Sequence, residues 1–359
     1  MGTSGRMSIC DATQLCRFYL PGQGARLGLV AGGSVVDLTA SRRPEYATLS
    51  ILLRASVATP IQALLQRVSG SALPAYAYRD LDREPAAGIP HLLPPVDRQE
   101  VWAAGVTYAW SREARVREAR TKDVYVRVYE AERPELFFKS TAEKVVGPHD
   151  WIGLRGDSHW NVPEPELALV LNPALQVVGY TIGNDVSSRD IEGENPLYLP
   201  QAKIYRHSCA LGPVITLAEP AAWASSHRPP TGVGGLHETE APASGGGKVT
   251  AIEAPASGGG KVTAAPGVIP LAIHLTVRRA IAGQPDAIAF QGETSTAHMQ
   301  RDPHELAGYL GRYNDFPDGA VLLTGTGIVP GDDFSLQDGD EVLIEIEGIG
   351  ILRNPVRQM

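Results

Sequence analysis

Glu164 and Glu166 stand two residues apart, immediately ahead of an apolar run at 167–171. In an extended chain residues i and i+2 project from one face, so both carboxylates can converge on one point. A second run, 177–184, leads into Asp185. If the two runs pair as a hairpin around Asn172-Pro173, Asp185 approaches the glutamate pair, although the pattern alone does not fix the register. Three clustered carboxylates repel one another unless a cation compensates them. A set of oxygen donors without His or Cys suits Mg²⁺, Mn²⁺ or Ca²⁺ rather than zinc. The plain alternative is an acidic strand edge, where Glu-x-Glu is common.

Other motifs carry less chemistry. Gly325-Thr-Gly-Ile-Val-Pro-Gly331 imitates a dinucleotide fingerprint, but Pro330 and the Asp332-Asp333 pair stand where a helix should receive the pyrophosphate. Gly247-Lys248 lacks the Ser or Thr of a phosphate loop, and Asp338-Gly339 reads as a hairpin turn. Three cysteines without Cys-x-x-Cys spacing argue against disulfide and zinc scaffolds.

The elements that must position the acidic residues are mostly strands. Period-two alternation marks Leu271, Ile273, Leu275, Val277 and again Val342, Ile344, Ile346, with strands expected over 271–277, 321–324 and 341–352. Short helices are expected at 49–54, at 60–68 with Thr59 as cap, from Ser111 to about 122, and from Asp302 onward. The 38 glycines and 28 prolines in 359 residues exceed the average share of roughly 12% and favour turns over long helices. A proline-rich passage at 85–95 suggests a small N-terminal domain over 1–98 and a larger one over 99–359. The fold class that follows is α+β around a rolled β core. A net charge of −8 without a basic stripe argues against nucleic acid, and no apolar run reaches a membrane span. The polar first residues read as no secretory signal, so a cytoplasmic protein is expected.

Glu164-x-Glu166-Leu167, followed by Gly179-Tyr-Thr-x-x-Asn184-Asp185-Val-Ser-Ser-Arg189-Asp190, resembles the core signature of the fumarylacetoacetate hydrolase superfamily. Pro134-Glu135-Leu-Phe-Phe-Lys139, Thr324-Gly-Thr-Gly327 and Gly348-Ile-Gly-Ile-Leu-x-Asn354 match in the same order, so the resemblance spans about 99–359. It implies a mixed β-roll, a homodimer or higher homo-oligomer, and a divalent metal, Mg²⁺ with Mn²⁺ or Ca²⁺ as alternatives, on Glu164, Glu166 and Asp185. Hydrolytic and decarboxylating relatives carry a lid His after Gly-x-Asn-Tyr. Here Gly105-Val-Thr107-Tyr-Ala-Trp-Ser111 puts Thr107 and Ser111 at the Asn and His positions. The stretches 196–205 and 208–213 resemble the 2-keto-3-deoxy-sugar-acid dehydratase branch instead.

That resemblance implies dehydration of a small 2-keto acid, a 2-keto-3-deoxypentonate, to 2,5-dioxopentanoate. The alternative is hydrolysis or decarboxylation of an acylpyruvate or fumarylacetoacetate-like β-diketo acid. Positive residues are expected near so acidic a site. Lys203 is the candidate base or electrostatic partner of the enolate, and Lys139 a candidate substrate anchor or a support behind the groups that touch metal and substrate. Glu135 is expected to handle the leaving hydroxyl. Gly325 and Thr326, on a glycine-flanked turn, are candidates for the substrate carboxylate, and Ser111 for orienting the substrate. Arg189 and Asp190 are expected to be a buried structural pair, and Arg112 and Arg115 a solvated lid face.

The twelve-residue stretch 240–251 recurs unchanged at 253–264, inside a Gly- and Pro-rich stretch expected to form a flexible insertion over about 219–268. Two copies with almost no apolar side chains cannot build a solenoid. Deleting one copy is expected to change unfolding free energy by less than about 1 kcal/mol in a urea titration. Loss of folding on that deletion would show that the segment packs.

Overall fold

The computed structural model describes residues 13–108, 131–218, 268–281 and 284–359. Ser111, Arg112, Arg115 and the duplicated stretch lie outside these residues. In chain order the strands are β1 (Gln14–Leu20), β2 (Gly24–Ala31), β3 (Ser34–Asp37), β4 (Ala75–Ala77), β5 (His91–Leu93), β6 (Glu100–Gly105), β7 (Glu135–Ser140), β8 (Ile152–Leu154) and β9 (Asn161–Val162). They continue as β10 (Pro165–Leu171), β11 (Val177–Asp185), β12 (Ser187–Ser188), β13 (Cys209–Leu217), β14 (Ala272–Ile281), β15 (Gln284–Ser295), β16 (Ala320–Leu323), β17 (Glu341–Ile346) and β18 (Gly350–Gln358). The α-helices are short: α1 (Leu49–Ala55), α2 (Ile61–Gln66), α3 (Tyr78–Leu81), α4 (Arg189–Glu194), α5 (Leu199–Lys203) and α6 (Pro303–Leu310).

The main sheet runs β4-β3-β2-β1-β13-β11-β10-β16-β6-β7, with β5 also paired to β1. Its pairs are antiparallel except β16 with β6. A second sheet runs β15-β14-β17-β18-β8. Every residue of β10 and β13 is buried, because both faces of the main sheet are covered. Leu167, Leu169 and Leu171 of β10 pack into one core with Ile273, Leu275, Val277 and Ile344 of the second sheet. Ala168 and Val170 turn to the other core, with Leu49, Leu52 and Leu53 of α1 and Ile61 and Leu64 of α2. This is an α+β architecture dominated by strands.

Across the division expected at residue 98 the main sheet is continuous. In space β1 pairs with β13 through Gln14 opposite Thr216 and Leu15 opposite Ile215, and Leu15 and Leu27 share a core with Val170. The chain before residue 98 thus extends the same sheet. Two expected elements differ in detail. The run 341–352 is two strands, since Gly348 takes a positive φ of 76° and turns β17 back as β18. α2 is shorter than 60–68, with Pro60 at its N-cap rather than inside the helix. Asp302 caps α6 as expected, accepting from the His304 N–H at 2.8 Å.

The β10–β11 hairpin matters most for the site. At its turn the Asn172 side-chain oxygen accepts the N–H groups of Ala174 and Gln176, both at 3.0 Å. This side-chain bond to following backbone groups is what makes Asn a turn former, and it holds the register of two strands whose far ends carry the acidic residues.

Candidate active site

Pairing of β10 with β11 sets Pro165 opposite Asn184 and Glu166 opposite Gly183. Just beyond, the Asp185 N–H donates to the Glu164 carbonyl at 3.0 Å, and the Glu164 N–H donates to the Asn184 side-chain oxygen at 3.1 Å. Asp185 therefore stands beside Glu164. One oxygen from each of Glu164, Glu166 and Asp185 lies within 4.8 Å of the others, and none of the three residues is more than 2% exposed. Buried charges at this spacing persist only with paired donors.

The donors are specific. Arg189 Nη2 lies 2.7 Å from Glu164 Oε1, Lys139 Nζ lies 2.6 Å from Asp185 Oδ1, and the Gly325 N–H donates to Glu166 Oε2 at 2.6 Å. One oxygen of each carboxylate is thus held from outside. Two of the others, Glu164 Oε2 and Asp185 Oδ2, converge on Lys203 Nζ at 2.5 and 3.0 Å. Fixed cations do not fully balance the cluster at Glu166. Burial first, then the Asp185 and Glu164 carboxylates, push its carboxyl well above the usual range, against the opposing pull of Lys203 and the Gly325 N–H. Among the described residues Glu166 makes no ion pair, whereas Glu164 and Asp185 each make two. An all-oxygen set with one outward-held oxygen per carboxylate fits a small, hard divalent ion such as Mg²⁺.

The cluster forms the floor of a pocket walled by Glu135 and Phe137 of β7, Gly105 of β6, Arg189 and Glu192 of α4, and Thr326. Two chain segments close its side. The Thr107 hydroxyl donates to the Thr324 carbonyl at 2.6 Å, tying the end of β6 to the turn after β16. Gly325 in that turn has φ +91°, and a Cβ there would lie 2.0 Å from Thr107 Oγ1, so only glycine fits. Val106 holds φ 53°, a conformation costly for a β-branched residue, at the pocket wall.

Glu164, Glu166, Asp185, Lys203, Glu135, Gly325 and Thr326 meet as the sequence suggested, while Ser111 lies outside the described residues. Four residues, Lys139, Gly325, Thr326 and Arg189, have partners that the sequence did not specify. Lys139 is not a pocket-wall residue; its side chain is fully buried and donates to the Val186 carbonyl at 3.1 Å and the Lys203 carbonyl at 2.5 Å besides contacting Asp185. It braces a candidate metal ligand and the end of α5. The Gly325 N–H is committed to Glu166, and the Thr326 hydroxyl to the Ile328 backbone at 3.2 Å. Arg189 does not pair with Asp190, because adjacent helical residues diverge. Arg189 faces Glu164 and, at 3.9 Å, Glu192, while Asp190 accepts from the Ser158 hydroxyl and the His159 N–H. Glu192 was not anticipated, although its i+3 spacing from Arg189 was a usable signal.

The profile of the Fumarylacetoacetate (FAA) hydrolase C-terminal family matches residues 100–357, and the chain belongs to this family. It is 43% identical over 266 residues, 74% of this chain and 75% of the relative, to the probable 2-keto-3-deoxyxylonate dehydratase of Haloferax volcanii. It is 34% identical over 330 residues, 88% of this chain and 94% of the relative, to the 2-dehydro-3-deoxy-D-arabinonate dehydratase of Saccharolobus solfataricus. Among solved structures it resembles a 2-keto-3-deoxy-D-arabinonate dehydratase complexed with magnesium and 2,5-dioxopentanoate, with TM-score 0.65 and 30% identity over 96% of this chain and 99% of the other.

Because Glu166 alone of the three carboxylates makes no ion pair among the described residues, Glu166→Gln is expected to leave metal-free thermal stability equal to or above that of the parent. The same change should weaken Mn²⁺ binding, read by calorimetry, at least about tenfold. Unchanged Mn²⁺ affinity would show that Glu166 is not a ligand.

Proposed function

We propose that the protein is a divalent-metal-dependent hydro-lyase that converts a 2-keto-3-deoxypentonate into 2,5-dioxopentanoate. The observation that carries the proposal is the buried Glu164, Glu166, Asp185 cluster opening beside Lys203 and Glu135 into one pocket. The relatives' names support the choice of substrate. In the D series the xylonate- and arabinonate-derived acids are one compound, because the C2 and C3 stereocentres that distinguish the parent sugars are lost in a 2-keto-3-deoxy acid.

Glu164, Glu166 and Asp185 would hold Mg²⁺, which supplies Lewis-acid polarisation of a 2-keto acid's carbonyl. Arg189, Lys139 and Gly325 keep those three carboxylates oriented through their outer oxygens. Lys203, donating as an ammonium between two carboxylates, brings a fixed positive charge to the place where the enolate oxygen gains negative charge. Of its two expected roles this geometry favours the electrostatic one. Glu135, half-buried on the pocket wall, is the acid–base group. It takes a C3 proton and returns it to the C4 hydroxyl, which departs as water. Loss of a C5 proton and protonation at C3 then give a C4–C5 enol, and loss of its C5 hydroxyl proton with protonation at C4 yields the C5 aldehyde. The turn at Thr326 and the expected Ser111 hydroxyl orient the substrate. The β-diketone hydrolase alternative is disfavoured because no imidazole lines the pocket among the described residues and Thr107, at the Asn position of the hydrolase lid motif, is buried on Thr324. No described helix is long and apolar enough to cross a membrane. A cytoplasmic homodimer is part of the same reading.

Incubation of the Mg²⁺-loaded protein with 2-keto-3-deoxy-D-arabinonate should give an unbroken five-carbon product lighter by one water, seen by mass spectrometry. Turnover should stop on chelation, and Lys203→Met should lower kcat at least about 10²-fold. Pyruvate plus a two-carbon fragment would mean that the enzyme cleaves the carbon chain.

A further inference from the structure

Glu135 reaches the pocket from a strand, and one residue of the neighbouring strand stands directly across from it. β7 pairs antiparallel with β6, with Gly105 directly opposite Glu135 and Ala103 opposite Phe137. Directly opposed residues share a face of the sheet. The two pocket-lining side chains of β7 thus face a glycine and an alanine of β6. A register shift enforces this match: Val101 pairs with Ser140 but Trp102 with Phe138, so Lys139 has no opposite number on β6. Such bulges re-aim side chains beside functional sites.

The Glu135 carboxylate folds back over its cross-strand partner. A Cβ placed on Gly105 would lie 2.1 Å from Oε2 and 2.5 Å from Cδ of Glu135. Carbon atoms pack no closer than about 3.5 Å at their optimum, so the two cannot coexist as they stand. Gly105 does not hold a positive φ, and the three atoms nearest to that Cβ all belong to the Glu135 side chain. The requirement for glycine at this position is therefore one of space. We propose that Gly105 is a positioning residue, whose missing side chain leaves the recess that holds the Glu135 carboxylate against β6 at the depth the reaction uses. The proposal rests on the reading of Glu135 as the acid–base group.

The test is a double-mutant cycle on the Mg²⁺-loaded enzyme with 2-keto-3-deoxy-D-arabinonate. Gly105→Ala should displace a flexible carboxylate rather than a strand, so the melting temperature should stay within a few degrees. Its kcat should fall about 10²-fold while KM changes less than about threefold. In a Glu135→Gln background, already slow, the same alanine should cost less than about threefold, because the group it displaces no longer transfers protons. Near-parental kcat in Gly105→Ala, or an equal loss with and without the Glu135 carboxylate, would overturn the proposal. Full activity in Glu135→Gln would overturn the reading of Glu135 on which it rests, and does so without reference to Gly105. If Gly105→Ala alone fails to fold, the pair Gly105→Ala/Glu135→Ala, which has no clash, should fold like Glu135→Ala. A pair that also fails to fold would show that the recess serves something other than Glu135.

Discussion

Negative charge packed into a dry interior is the constraint from which the rest of this structure follows. Glu164, Glu166 and Asp185 bring oxygens within 4.8 Å of one another where almost no solvent reaches. Unit charges at such distances interact by about 4 kcal/mol even at an effective dielectric of 20. An arrangement of that kind is retained only if donors are fixed on several sides. They come from separated parts of the chain: Lys139 on β7, Arg189 on α4, Lys203 ending α5, and a backbone N–H at Gly325 after β16. Four elements converge on one buried acidic cluster, and the pocket beside it is lined by three of the residues they supply, Arg189, Lys203 and Gly325.

The scaffold makes that convergence rigid. β10 and β11 run through the middle of the main sheet between two apolar cores, so the glutamates extend from a segment that cannot shift register without turning leucines from one core into the other. The Asn172 turn closes the hairpin at one end, and the Glu164–Asp185 backbone bond closes it at the other. At the pocket wall, Val106 in its left-handed conformation and the Thr107–Thr324 bond hold β6 and the Gly325 turn in contact. Local strain there is sustained by the surrounding packing, as is common where geometry serves chemistry.

Much of this was legible in the sequence where the signal was local. Period-two spacing placed Glu164 and Glu166 on one strand face, and the Asn172-Pro173 turn allowed Asp185 to come alongside. Alternation also marked β14 and β17, and Asp302 marked the start of α6. What escaped was non-local. Lys139 sits one bulged residue out of step with β6, and its own neighbourhood in the sequence could not choose between the two placements expected for it, in the pocket or behind Asp185. Arg189 and Asp190 read as a pair by adjacency, whereas helical geometry sends them to different partners. The Gly105 recess is invisible without knowing which residue of β7 stands opposite. The break between β17 and β18 was hidden because Gly348 interrupts an otherwise continuous apolar alternation.

The central claim is that the carboxylate cluster and Lys203 serve to stabilise a C2–C3 enolate of a 2-keto acid. The most direct measurement is turnover in deuterated water, with the product read by NMR. The account predicts solvent deuterium at C3 of the 2,5-dioxopentanoate formed, and its absence when the metal is chelated because no product forms. Product that keeps both original C3 protons would show that no enolate was made, and would contradict it.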